Sequence, residues 1–293
     1  MLSKKVSSAF PSFTPPHVLS PAEGHFVGRD LRSGEPQTVV KRPGALMTFD
    51  RVPYDTAWEL QRALVEERLA DRRPDTLVLL EHQPVYTIGR SGQESHWGGD
   101  ERTLREAGYP VYRVERGGSV TYHGPGQIVG YPILRLGHFC AGPKAYMRAL
   151  EEVVIRTLAE WGMTGRRLDK LTGVWVGERD RMKIAALGVR IVRGITMHGF
   201  ALNVMLDVAP FHRIVPCGIA DCRVTSMAGV LGRPLEVSLV RQRIAEVFAE
   251  LFGLEWTVHE SGCANRSIPV RPASAAACDR GVRDRRDANG GNP

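Results

Sequence analysis

Apolar residues recur at helical spacing in three parts of the chain. Over residues 143–162, Leu150, Val153, Val154, Leu158 and Trp161 fall on one stripe, and Gly162 follows as a C-terminal cap would. Over residues 236–252 the same period runs through Val240, Ile244, Val247, Phe248 and Leu251 and stops at Gly253. A less regular stripe of Trp58, Leu60, Leu64 and Ala70 marks a helix over residues 55–70. One apolar face per segment predicts helices lying on a core, not coiled-coil or membrane segments. Short apolar runs bounded by turn residues predict strands at 45–49, 76–81, 111–114 and 127–134, and two longer ones at 181–190 and 194–204. Strands and helices interleave without strict βαβ alternation and without an internal repeat. The expected fold class is therefore α/β in the mixed, α+β sense, one domain over residues 45–260.

The ends look different. Residues 1–44 mix Pro, Ser, Gly and isolated charges without any period, and so do residues 261–293; both are expected to be flexible or disordered extensions. They also carry most of the charge imbalance. The net charge is +7, yet each end holds six bases and three acids, which leaves the middle almost neutral. A protein that tracks nucleic-acid phosphates concentrates basic residues on its folded part, so a nucleic-acid module working through the basic tails is the weaker alternative. No run approaches 18 consecutive apolar residues, and no export signal is visible, so neither membrane association nor secretion is expected. The five cysteines show no CxxC and no metal-ligand spacing; a cytoplasmic setting, no disulfide framework and no metal site are expected.

Four stretches could carry chemistry. Residues 116–127 read RGGSVTYHGPGQ, with four glycines in ten residues that let the backbone approach a ligand; a tight hairpin turning at Gly124-Pro-Gly is the plainer alternative. The stretch matches neither a P-loop nor a dinucleotide fingerprint. In KIAALGVR, residues 183–190, strand parity puts Lys183 at the end of a row with Ala185, Leu187 and Val189. Such a lysine either snorkels to water or, held inside, becomes a readier proton donor as it loses hydration. In HGFALNV, residues 198–204, parity groups His198 with Thr196, Phe200, Leu202 and Val204 and turns it inward, as a bonded core residue or a functional one. In PCGI, residues 216–219, Cys217 sits at a bend between Pro216 and Gly218, where it is either a small packed hydrophobe or an accessible nucleophile.

In this order, the four stretches resemble the lipoyl(octanoyl) transferases, the protein N-octanoyltransferases, over roughly residues 46–255. The resemblance implies the fold of lipoate and biotin protein ligase catalytic domains, a mixed sheet flanked by helices. It implies an acyltransferase of lipoate biosynthesis that moves an octanoyl group from octanoyl-acyl carrier protein to a lysine of lipoyl domains. Those domains would belong to 2-oxoacid dehydrogenase complexes and the glycine cleavage H protein. By position it implies Cys217 as the acyl-carrying nucleophile and Lys183 as its activating partner. The substrate-binding residues it implies are Arg116, Gly117, Gly118, Ser119, Val120, Thr121, Tyr122 and His123; Ala186, Leu187 and Gly188; and His198, Gly199, Phe200 and Ala201. No cofactor is implied, and a monomer is expected. An ATP-dependent lipoate or biotin ligase on the same fold is the main rival, because it would activate a free acid and need no thiol.

The implied chemistry is physically coherent. A free thiol is only about 3% thiolate at pH 7, and an ammonium beside it raises that share. Exchange of one thioester for another, followed by aminolysis to a more stable amide, needs no ATP. The acyl chain needs an apolar slot, which Leu187, Phe200 and the Gly-rich loop are placed to shape.

Overall fold

The computed structural model describes residues 41–98, 101–219 and 222–262. Most of the two expected extensions, residues 1–40 and 263–293, lies outside the described residues. The chain enters through strand β1 (Arg42–Val52), crosses by helix α1 (Tyr54–Leu69) and returns as β2 (Asp75–His82), parallel to β1. A small sheet follows, built from β3 (Val85–Ile88), β4 (Val111–Arg113) and β5 (Val120–His123), with helix α2 (Glu101–Glu106) before β4. The chain then rejoins the large sheet as β6 (Gln127–Ile133), runs through helix α3 (Pro143–Ala159), and lays down β7 (Arg166–Leu168), β8 (Leu171–Val176), β9 (Met182–Val192) and β10 (Ile195–Asn203). After two single-turn 3-10 segments come β11 (Arg223–Val224), α4 (Met227–Leu231), α5 (Val237–Phe252) and β12 (Leu254–Gly262).

The large sheet runs β12-β1-β2-β6-β10-β9-β8-β7, with β11 paired to β9, while the small sheet runs β4-β3-β5. The large sheet is mixed: β12, β1 and β2 are parallel, and from β2 to β7 neighbours are antiparallel. Both of its faces are covered, and β2 shows the consequence. Leu77 and Leu79 point into the core shared with Leu150, Val153 and Val154 of α3 and Ile244 and Phe248 of α5. Val78 and Leu80 point into the core beneath Leu60 and Leu64 of α1. A strand buried on both sides reads as a continuous apolar run, which is why its sequence lacks alternation.

The helix stripes fall where their period places them. Helix α5 ends on Gly253, which takes the left-handed conformation at φ 60°. Helix α3 ends earlier than its stripe, at Ala159, and Gly162 at φ 71° closes the turn that follows it. The hairpin alternative for residues 119–127 is overturned in one respect. Gln127 N–H does donate to Gly124 O across a turn at 3.2 Å, but the flanking strands separate, β5 pairing with β3 and β6 with β2 and β10. The turn therefore joins two sheets.

Candidate functional site

Residues 34 apart in sequence meet because the chain after Cys217 is stitched back onto β9. In β11, Arg223 and Val224 pair in parallel with Met182 and Lys183, and Thr225 N–H donates to Lys183 O at 3.0 Å. Ala228 N–H then bonds Val204 O at 2.9 Å, anchoring α4 to the end of β10. The result is a hydrogen bond of 3.0 Å from Lys183 Nζ to Cys217 Sγ.

Lys183 does not snorkel: it is 4% exposed. Its stem lies against Gly173, where a Cβ would stand 2.6 Å from Lys183 Cε, so only glycine leaves room for it. Its ammonium stands 5.3 Å from the centre of the Trp175 ring, a cation–π contact that offsets part of the lost hydration. Cys217 is half-buried and occupies a single 3-10 turn, Pro216–Gly218, at φ 57° and ψ 15°. That is the left-handed region, uncommon for a residue with a side chain.

Both groups line a cavity of about 360 Å³. Its walls include Val129, Tyr131, Met147, Leu171, Leu187, Phe200 and Ile219, a largely apolar lining. Of the residues singled out from sequence, Arg116, Gly117, Gly118, Ser119, Thr121, His123, Lys183, Ala186, Leu187, Gly188, His198, Gly199, Phe200, Ala201 and Cys217 reach it. Val120 and Tyr122 do not. They alternate to the far side of β5 and pack with Tyr86 and Ile88 of β3. Close backbone packing brings the Gly-rich loop onto β9: Gly117 N–H donates to Val189 O at 3.0 Å, and a Cβ on Gly188 would lie 2.7 Å from Gly117 O.

Behind this wall lies a buried polar network that the sequence motifs did not reveal. Arg116 donates to Thr87 Oγ1 and Thr87 O, the latter at 2.7 Å, and to Gly117 O at 3.0 Å, all neutral acceptors. Burial pushes its proton affinity down, and the anionic forms of Tyr54, Cys217 and Tyr131 nearby push it back up. A guanidinium without a carboxylate partner among the described residues thus faces the region around the thiol. Gln127 donates its amide hydrogens to Asn203 Oδ1 and Tyr122 O, so its Oε1 accepts from His123 Nδ1 at 2.7 Å. His82 donates from Nδ1 to Val52 O at 2.9 Å and accepts at Nε2 from the Tyr131 hydroxyl at 2.7 Å. Burial holds the His82 pKa down at about 4, that of His123 well below the usual imidazole range, and that of Tyr131 well above the usual phenol range. These rings are neutral near pH 7.

His198 departs from its expected row. At φ 55° it breaks the alternation of β10; its ring lies 6.4 Å from that of Tyr131, which packs beneath α1, whereas Phe200, Leu202 and Val204 pack with α3 and α5. Its backbone N–H donates to Gln61 Oε1 at 2.8 Å, and neither ring nitrogen has a partner among the described residues. Burial, reinforced by the charges of Arg116, Arg190 and Arg62, lowers its pKa to about 3.

A half-buried thiol bonded to a buried amine, beside an apolar cavity, can attack an electrophilic carbonyl and hold the product in the cavity. Comparison with known proteins bears on which carbonyl. Residues 53–249 match the family model of the lipoyl protein ligase A/B catalytic domain. An octanoyltransferase from Rubrobacter xylanophilus is 50% identical over 203 residues, 69% of this chain and 90% of the relative. One from Gloeobacter violaceus is 46% identical over 222 residues, 75% of this chain and 94% of the relative. Among solved structures, a lipoate-protein ligase A bound with ATP superposes with a TM-score of 0.59 at 17% identity, covering 75% of this chain and 89% of the other. A bipartite lipoate protein ligase from Thermoplasma acidophilum gives 0.58 at 15% identity, covering 75% and 88%. These two likenesses establish the shared fold. The agreement in sequence goes further: this chain belongs to the octanoyltransferases, enzymes within the lipoyl protein ligase A/B catalytic domain family.

Proposed function

We propose that this enzyme takes an octanoyl group from octanoyl-acyl carrier protein onto Cys217 and passes it to a lysine of lipoyl domains. The acceptors are those of 2-oxoacid dehydrogenase complexes and the glycine cleavage H protein. The observation that carries this reading is the 3.0 Å bond from Lys183 Nζ to Cys217 Sγ on the wall of an apolar cavity.

In the first half-reaction Cys217 and Lys183 react as a thiolate–ammonium pair, the cysteine proton already held on Lys183, and the thiolate adds to the incoming thioester carbonyl. As the tetrahedral intermediate collapses, the bond to the pantetheine sulfur breaks, and Lys183 returns the proton to that leaving sulfur. In the second, the amine of the acceptor lysine attacks the acyl-Cys217 carbonyl, its proton passes to Lys183, and the Cys217–acyl bond breaks to leave an amide. This restores the thiolate–ammonium pair. Arg116 supplies fixed positive potential where sulfur and carbonyl oxygen become negative. Seven carbons beyond the carbonyl, at about 0.8 kcal/mol each, contribute roughly 6 kcal/mol when buried in the cavity.

The test is transfer from octanoyl-acyl carrier protein to a lipoyl domain without nucleotide. Wild-type enzyme transfers, and Cys217→Ala, folded by circular dichroism, does not. An ATP requirement together with full turnover by Cys217→Ala refutes covalent transfer and favours ligase chemistry with a free acid.

A further inference from the structure

Lys183 stands on a strand in the middle of the large sheet, whereas Cys217 stands on an isolated turn. Whatever fixes that turn therefore sets the distance between sulfur and amine. We propose that His96 is the positioning residue that holds the Cys217 turn opposite Lys183, with Ser119 fixing its ring. The proposal rests on Cys217 being the nucleophile.

Three contacts carry it. Val215 N–H, at the head of the turn, donates to His96 O at 2.7 Å. The imidazole packs closely against Gly218: a Cβ there would lie 2.8 Å from His96 Cε1 and 3.2 Å from Nε2. Gly218, at φ 69°, follows Cys217 at φ 57°, so two consecutive left-handed residues rest on this ring. Such a backbone persists only where its surroundings hold it. The ring itself is fixed at Nδ1, which lies 2.6 Å from Ser119 Oγ and 3.2 Å from Gln93 N. A backbone N–H can only donate, so Nδ1 accepts, the Ser119 hydroxyl also donates to it, and the neutral ring carries its proton on Nε2. The 3-10 turn Glu94–Trp97 that bears His96 is anchored in turn by buried Trp97.

His96 thus ties together the Gly-rich loop, its own turn and the nucleophile's turn. It does not line the cavity, so it acts through Cys217.

The test follows acylation of Cys217 by octanoyl-pantetheine in a single turnover, by mass, beside its alkylation by iodoacetamide and the melting temperature. His96→Ala is expected to slow acylation about 100-fold, the scale of loss for a misplacement near 1 Å, while the KM for the lipoyl-domain acceptor stays within about twofold. His96→Asn puts an acceptor oxygen near the position of Nδ1 and recovers at least about tenfold of the loss; His96→Gln, which places its amide near Nε2, does not. Acylation at the wild-type rate in His96→Ala overturns the proposal. So do equal rates in the Asn and Gln variants, the comparison that decides should the alanine variant fail to fold. Absence of acyl on Cys217 in the wild type fails the functional reading instead; alkylation of Cys217 then decides the positioning role, slowed in His96→Ala supporting it and unchanged overturning it.

Discussion

Replacing Gly188 by alanine isolates the packing of the Gly-rich loop on β9. The residue has ordinary strand backbone, so the added methyl brings no conformational strain, only bulk. That methyl would stand 2.7 Å from Gly117 O and 3.3 Å from Arg116 Cδ. Contacts to a Cβ below 3.0 Å are essentially never seen, so loop and strand must part by a few tenths of an ångström. The loop has no slack there, because Gly117 N–H is already bonded to Val189 O at 3.0 Å. Overpacking of this kind costs about 1–3 kcal/mol. For a domain of this size each kcal/mol lowers the melting temperature by roughly 2–4 °C, so a fall of several degrees is expected. Because Arg116 and Gly117 line the cavity beside the Cys217–Lys183 pair, octanoyl transfer should drop by about 10- to 100-fold. The assay pairs thermal melting with transfer kinetics, using Gly137→Ala as control, since a Cβ there meets nothing within 4 Å. An unchanged melting temperature and rate in Gly188→Ala would refute the close packing of loop on strand.

Further outcomes follow from the same geometry. Lys183→Arg keeps the charge but cannot shuttle protons near neutrality, so transfer should fall nearly as far as in Lys183→Met; near-normal turnover by the arginine variant would reduce Lys183 to an electrostatic role. Burial pushes the Cys222 thiol up to about 11 and raises that of Cys140, so iodoacetamide at pH 7 should label Cys217 well ahead of both; peptide mapping that finds Cys222 labelled first would contradict this. His82 titrates at about 4 when folded, against about 6.5 in an unfolded chain, so the unfolded state binds more protons between those values. Stability should therefore fall as pH drops from 6.5 towards 4, and His198, at about 3, adds to the same trend. Melting temperature measured against pH should slope less steeply in His82→Gln, and identical slopes would remove His82 as a cause.

Helices α1, α3 and α5 were legible because each has one apolar stripe, and α5 ends on the glycine that the pattern marks; α2 and α4, six and five residues long, are too short to show one. Strands at the margins were not. In β12 the run Leu254-Glu-Trp-Thr shows no long apolar stretch because it lies at the edge of the large sheet, and β3 is only four residues long. Missing β3 also hid Thr87, whose hydroxyl and carbonyl hold Arg116. Parity along β9 placed Lys183 at the end of an apolar row but could not choose between water and interior. Trp175 and Cys217, which shelter it, come from other segments. Parity failed at His198 for a local reason, its positive φ. His96 lies in a polar stretch without period or motif, and only the fold brings it against Gly218 and Ser119.

The direct test of covalent transfer through the Cys217–Lys183 pair is mass spectrometry of the enzyme mixed with octanoyl-acyl carrier protein and no acceptor. The account predicts one octanoyl group on the peptide containing Cys217, lost when a lipoyl domain is added and absent in Cys217→Ala. An unmodified Cys217 peptide while lipoyl domains are still octanoylated would contradict it.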